Sequence, residues 1–146
     1  MTPAIRTIMA FDFGLRQIGV AVGNTLLRTT QSLPIIKARD GVPNWQAVEQ
    51  VLQEWQPELL LVGDPLNMDG SDSELCERAR KFARRLHGRF GLPFEMADER
   101  LTSFEAKHSS KELGHRGDFK RRPIDSLAAE LVLQGWFSTR QETARD

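Results

Sequence analysis

The chain has 146 residues, 40% of them hydrophobic and 27% charged, a composition that suits a single globular domain with a real core. Its longest apolar runs, such as Leu59-Leu60-Leu61-Val62-Gly63, are strand-sized and exclude a membrane-crossing helix, while the lone Cys76 excludes an internal disulfide. Lys plus Arg number 20 against 20 Asp plus Glu, and that neutral total argues on its face against a nucleic-acid protein.

The first expected strand covers residues 5 to 13 and the second 17 to 23, with a tight turn on Gly14 between them. Asp12 therefore sits at the mouth of a hairpin. A third strand over 31 to 37 contains Pro34, which suits a sheet edge, so the chain opens with three antiparallel strands. Pro43 begins a helix to about Trp55, with Val48, Val51, Leu52 and Trp55 at helical spacing, and Pro57 stops it. Leu59-Leu60-Leu61-Val62 is continuous rather than alternating and reads as a strand buried on both faces. Ser71-Asp72-Ser73-Glu74 has capping-box spacing and should open a helix that ends near Gly88, with Leu75, Ala79, Phe82 and Leu86 facing inward. A short strand over 94 to 97 follows. A second capping box, Thr102-Ser103-Phe104-Glu105, introduces a helix to about Leu113, and the polar stretch Gly114 to Arg122 reads as a loop. Pro123 starts the final helix, expected to end at about Phe137 with a polar tail over 139–146. Residues 1–146 thus form one domain without internal repeats or linkers. The N-terminal residues lack the apolar core of a secretory signal, so the expected compartment is the cytoplasm.

Segregation qualifies the neutral charge. Arg78, Arg80, Lys81, Arg84, Arg85 and Arg89 occur with no acid among them, and a second basic segment runs from Lys107 to Arg122 with only Glu112 and Asp118. A solvated helix face and an ordinary charged loop would look the same.

Three acids stand out by position. Asp12 ends the first strand, Glu99 follows the last strand in Asp98-Glu99-Arg100, and Asp125 lies in the first turn of the last helix. If the first and fourth strands are parallel neighbours with the last strand beside them, Asp12 and Glu99 share one rim, and Asp125 reaches it from the packed helix. Each has a plainer alternative: Asp12 as a turn carboxylate bonding nearby amides, and Asp98, Glu99 and Asp125 as acids that complement helix N-termini. Oxygen-only ligands suit Mg²⁺ or Mn²⁺ bound with substrate phosphate and water, in one or two ions, which points to phosphodiester chemistry. His87, His108, His115 and Cys76 show no zinc-ligand spacing.

Four collinear motifs now carry a resemblance. Asp12-Phe13-Gly14-Leu15-Arg16-Gln17-Ile18-Gly19-Val20-Ala21-Val22, Val62-Gly63-Asp64-Pro65-Leu66-Asn67-Met68-Asp69-Gly70, Asp98-Glu99-Arg100-Leu101-Thr102-Ser103 and Ile124-Asp125-Ser126-Leu127-Ala128-Ala129 match the YqgF/RuvX family in order and spacing. That family is assigned to pre-16S ribosomal RNA processing and is also described as Holliday junction resolvase-like. The resemblance implies an α/β fold of the RNase H-like type, a five-stranded mixed sheet in order 3-2-1-4-5 flanked by helices, a divalent-metal site, and maturation of the 5′ end of 16S rRNA. It places the family's acids on Asp12, Glu99 and Asp125, the same trio as the rim argument. Two positions depart from the family: Gln17 stands where a second basic residue is usual, and Asp64 where an apolar one is.

Arg16, Arg100, Lys107, Lys120, Arg121 and Arg122 adjoin the acid-bearing motifs in sequence and are candidates for neutralising substrate phosphates. The expected partner is nucleic acid, with precursor rRNA ahead of branched DNA. Ribosomal particles are a further candidate, and the chain would act as a monomer or weak dimer. Other readings are a resolvase on branched DNA and a non-catalytic RNA-binding or ribosome-assembly factor. An actin-like kinase would need a second phosphate motif and a second domain that 146 residues do not hold.

Overall fold

Burial of the first strand on both faces organises the molecule. In a computed structural model that describes residues 7–98 and 124–145, with side chains of the final helix described over 126–139, β1 (Thr7–Asp12) is the central strand. It pairs antiparallel with β2 (Gln17–Asn24) from Thr7↔Asn24 to Asp12↔Gly19, and parallel with β5 (Leu59–Asp64) from Ile8↔Leu59 to Phe11↔Val62. β3 (Thr29–Arg39) lies outside β2, and β6 (Phe94–Asp98) lies outside β5 in parallel register. With a short strand β4 (Val42–Pro43) at the edge, the sheet order is β4-β3-β2-β1-β5-β6.

The expected five-strand order is present, with one strand added at the edge. β4 (Val42–Pro43) turns back on Ala38 and Arg39 through Asp40 and Gly41, both at positive φ. Asp-Gly is a favoured pair for such a two-residue hairpin turn, so the local sequence itself specifies the reversal. Pro43 is therefore a strand residue, and α1 (Trp45–Trp55) starts two residues later. Asn44 caps it, its Oδ1 accepting from the Ala47 amide at 3.3 Å. Pro34 sits in a β3 bulge: Ile18 pairs with Ile36 but Val20 with Leu33, so two residues of β3 oppose one of β2. A residue with no N–H fits where the ladder is already interrupted.

The other helices also depart from expectation. α2 runs Cys76–Phe90, and its cap residue Leu75 makes no side-chain cap bond. Residues 71–74 instead close a loop, in which the Ser71 hydroxyl donates to Asp69 Oδ1 at 2.5 Å and Asn67 Nδ2 donates to the Asp72 carbonyl at 3.1 Å. Short-range partners outcompeted the capping box. The final helix, α3 (Ile124–Arg145), continues through the expected tail, which contains no glycine or proline to stop it. The expected helix from 102 to 113 and loop from 114 to 122 lie outside the described residues.

Strand parity builds two cores. Met9, Phe11, Leu60 and Val62 face α1 and α2, where Phe82 packs edge-on to Phe11 with ring centroids 5.6 Å apart. Ile8, Ala10, Leu59 and Leu61 face α3, where Val132, Leu133 and Phe137 cover them. All six residues of β5 are buried, as its continuous apolar run requires. Burying each large aliphatic side chain contributes about 1.5–3 kcal/mol, so the two layers hold the sheet from both sides.

Candidate active site

The parallel strands β1, β5 and β6 end together, and their last residues are Asp12, Asp64 and Asp98. Successive side chains on a strand point to opposite faces, so Asp12 shares the α3 side with Ile8 and Ala10. Asp64 follows Leu60 and Val62 toward α2. One rim thus presents carboxylates on two sides of the sheet.

The turn after Asp12 is sterically specified. A Cβ on Gly14 would lie 2.5 Å from the Gln17 carbonyl oxygen, so any side chain there would force the hairpin open. Arg16 is exposed on this turn, and its carbonyl accepts from the Ala38 amide at 2.8 Å. That bond ties the turn to β3.

α3 approaches the same level of the sheet. The buried Ser126 hydroxyl donates to the Leu33 carbonyl at 2.6 Å. Leu33 pairs with Val20, which pairs with Phe11, the neighbour of Asp12. Glu130 accepts from Thr30 at 2.6 Å and Ser32 at 2.8 Å, and Trp136 donates to Glu95 at 3.2 Å. The helix is therefore pinned from Ser126 to Trp136, with its first turn, which includes Asp125, at the height of the rim. Ser126 was missed as a site-building residue; its only sequence signal was its place beside Asp125 in the fourth motif.

Asp64 has a different occupation. Its Oδ2 accepts from Arg80 Nε at 3.3 Å and Nη2 at 2.9 Å, and Arg80 also bridges Asp72 at 2.9 Å. The side chain of Asp64 is only 12% exposed, and its Oδ1 is buried with no hydrogen-bond partner among the described residues. The guanidinium compensates the charge that an apolar residue at this position would not carry. Hydrogen bonding to Arg80 holds the Asp72 carboxyl below the usual carboxylate value, and the two acids push the Arg80 pKa upward.

Of the expected site residues, the structure places Asp12, Arg16 and the backbone of Asp125 at one end of the sheet. Glu99, Arg100, Lys107, Lys120, Arg121 and Arg122 lie outside the described residues. Among the described residues, no three of His, Cys, Asp and Glu converge as a metal cluster. Among the described residues, Cys76 is buried in the first turn of α2, and His87 Nδ1 lies 2.9 Å from the Leu92 carbonyl. What the rim offers a cation is carboxylate oxygen, the donor type that suits Mg²⁺ or Mn²⁺.

Comparison with known proteins accords with this arrangement. A family model described as "RuvX: Holliday junction resolvase" matches residues 6–139. A protein of Azotobacter vinelandii with the provisional name pre-16S rRNA nuclease is 54% identical over 135 residues, covering 92% of this chain and 95% of its own. One of Actinobacillus pleuropneumoniae serotype 5b with the same provisional name is 54% identical over 132 residues, covering 90% and 96%. Among solved structures, Thermus thermophilus RuvC in complex with a Holliday junction substrate superposes with a TM-score of 0.59 at 17% identity, covering 94% of this chain and 97% of that one. At that identity the likeness is one of fold.

Proposed function

This chain belongs to the RuvX family, and from that membership we propose that it is a divalent-metal-dependent nuclease that hydrolyses phosphodiester bonds in precursor 16S rRNA. The observation that carries the reading is Asp12 at the end of the central strand, on the side of the sheet covered by a helix whose first turn contains Asp125. Asp12, Glu99 and Asp125 are the proposed metal ligands. The reading requires that the alternation setting Ala97 toward α3 continue for one more pair of residues to Glu99. Bound Mg²⁺ or Mn²⁺, as one ion or two, would activate the attacking water and stabilise the leaving oxygen. The chain's part is to fix the carboxylates: the Gly14 turn orients Asp12, and the Ser126 bond to β3 fixes the start of α3. Arg16 holds a flanking phosphate, with Arg100, Lys107, Lys120, Arg121 and Arg122 proposed for further ones.

The rRNA substrate rests on the shared provisional name of relatives at 54% identity over nearly their whole length. It also sets the place of action in the cytoplasm, where ribosomal RNA is processed. Among the described residues no helix is long and apolar enough to cross a membrane. The family's description as a Holliday junction resolvase favours branched DNA as the second reading.

A cleavage assay decides between them. Purified protein with Mg²⁺ or Mn²⁺ should cut precursor rRNA, and cleavage of a four-way DNA junction alone would reverse the order of substrates. Asp12→Asn should lower the rate by at least about 100-fold, because Lewis-acid stabilisation of the transition state is worth several kcal/mol. Its circular dichroism should stay that of the parent. Normal cleavage by Asp12→Asn would remove this carboxylate from the mechanism and assign the cutting to a contaminating nuclease, with this chain a non-catalytic RNA-binding protein.

A further inference from the structure

The basic run on α2 resolves into residues with partners and residues without them. Arg80 is held by Asp64 and Asp72, Arg84 Nη2 lies 2.9 Å from Glu77, and the Arg89 guanidinium sits 4.1 Å over the Trp45 ring. Arg78 meets Asp40 at 3.3 Å, a pair exposed to solvent on both sides. Lys81 and Arg85 make no ion pair among the described residues, and both are exposed. Spaced at i, i+3 and i+7, Arg78, Lys81 and Arg85 share one helix face over about 10 Å, at 1.5 Å of rise per residue.

Those three side chains line a cavity of about 100 Å³ whose other walls include Phe13, Asp40, Gly41 and Val42. Phe13 is the residue immediately after Asp12, and it packs on the α2 side of the sheet. The Gly41 amide donates to the Leu15 carbonyl at 2.9 Å. A Cβ on Gly41 would stand 3.2 Å from the Phe13 ring and 3.6 Å from Arg78 Cζ, so the β3–β4 turn is wedged between the Asp12 turn and α2. The fold sets Arg78 across the β3–β4 turn from the turn that carries Arg16.

We infer that Arg78, Lys81 and Arg85 form a second phosphate-binding track, which holds the nucleic-acid backbone flanking the cut on the side of the sheet opposite Asp12. The strand crosses the rim at Arg16, with the scissile phosphate on the α3 side and the flanking nucleotides along α2. The track contains no base-reading group, so it contributes affinity and register without sequence preference. It rests on the nuclease reading for the position of the cut but not for the binding of the backbone.

The test is fluorescence anisotropy with single-stranded RNA, one oligonucleotide too short to leave the Asp12 side and one several-fold longer, across a salt titration. The double variant Lys81→Gln/Arg85→Gln should bind the longer RNA more weakly and lower its salt slope by about 1.4, at roughly 0.7 per phosphate on single strands. The short RNA should bind it as it binds the parent. Arg84→Gln, which removes a cation paired to Glu77 from the same helix, should leave both affinities unchanged. An unaltered slope on the longer RNA, or an equal loss from Arg84→Gln, overturns the track. Asp12→Asn separates the two ideas: it should abolish cleavage and keep the parent slope. Parent protein that binds RNA with the α2-dependent slope but does not cleave it would sink the nuclease reading and sustain the track. Parent protein that binds no RNA overturns both.

Discussion

At the scale of single residues, Asp64 and Asp12 show how one residue type at one rim takes different roles from the face it occupies. Asp12 lies on the α3 side, while Asp64 is turned toward α2 and compensated by Arg80. The consequence is an asymmetry in stability. Arg80→Met leaves the mostly buried Asp64 carboxylate without its cation, and should destabilise the fold more than removing the acid does. Asp64→Leu removes the acid itself and leaves Arg80 bonded to Asp72, so its cost should stay below about 1 kcal/mol. Urea unfolding of the two variants checks this, and equal losses would mean that the ion pair matters as a pair rather than as compensation for one buried charge. The acid at position 64 was legible in the sequence as a departure from the family. Its partner was not, because Arg80 is one of six similar cations and only packing selects it.

Elements determine whether separate residues become a site. α3 is attached to β3 through Ser126, Glu130 and Gln134, and to β6 through Trp136. Its first turn is set by Ser126 alone among these, and Asp125 is the residue before it. Ser126→Ala removes a buried hydrogen bond and should destabilise the fold by about 1–2 kcal/mol. Under the proposed mechanism it should also raise the Mg²⁺ or Mn²⁺ concentration needed for half-maximal cleavage, a readout that a loss of global stability would not move in folded protein. An unchanged metal dependence would assign Ser126 to stability only. β4 shows the same dependence on context in a small element. Two residues joined to β3 by an Asp-Gly turn take Pro43 out of the helix that its sequence position suggested, and bring Gly41 against Phe13.

For the whole molecule, the sheet carries both helical layers, and its centre is where stability is concentrated. Leu61 is fully buried between β5 and α3, so Leu61→Ala should cost about 2–5 kcal/mol and lower the urea midpoint without changing the rim's chemistry. A loss well below that range would show that α3 closes over the gap. The sequence by itself determined five of the six strands of the sheet, since period-two and continuous apolar patterns report burial directly. It also singled out Asp12, Glu99 and Asp125, because acids at element ends interrupt those patterns. Helix starts were less legible: the Ser71–Glu74 capping box and the Pro43 start both gave way to nearby bonds. Tertiary structure alone decided that Asp64 belongs to Arg80, that Ser126 sets the height of α3, and that the α2 cations stand beside the Asp12 turn. Each of these joins residues far apart in the chain through a sheet register or a side-chain contact. Local pattern has no term for such distances, and they exist only once the strands have paired.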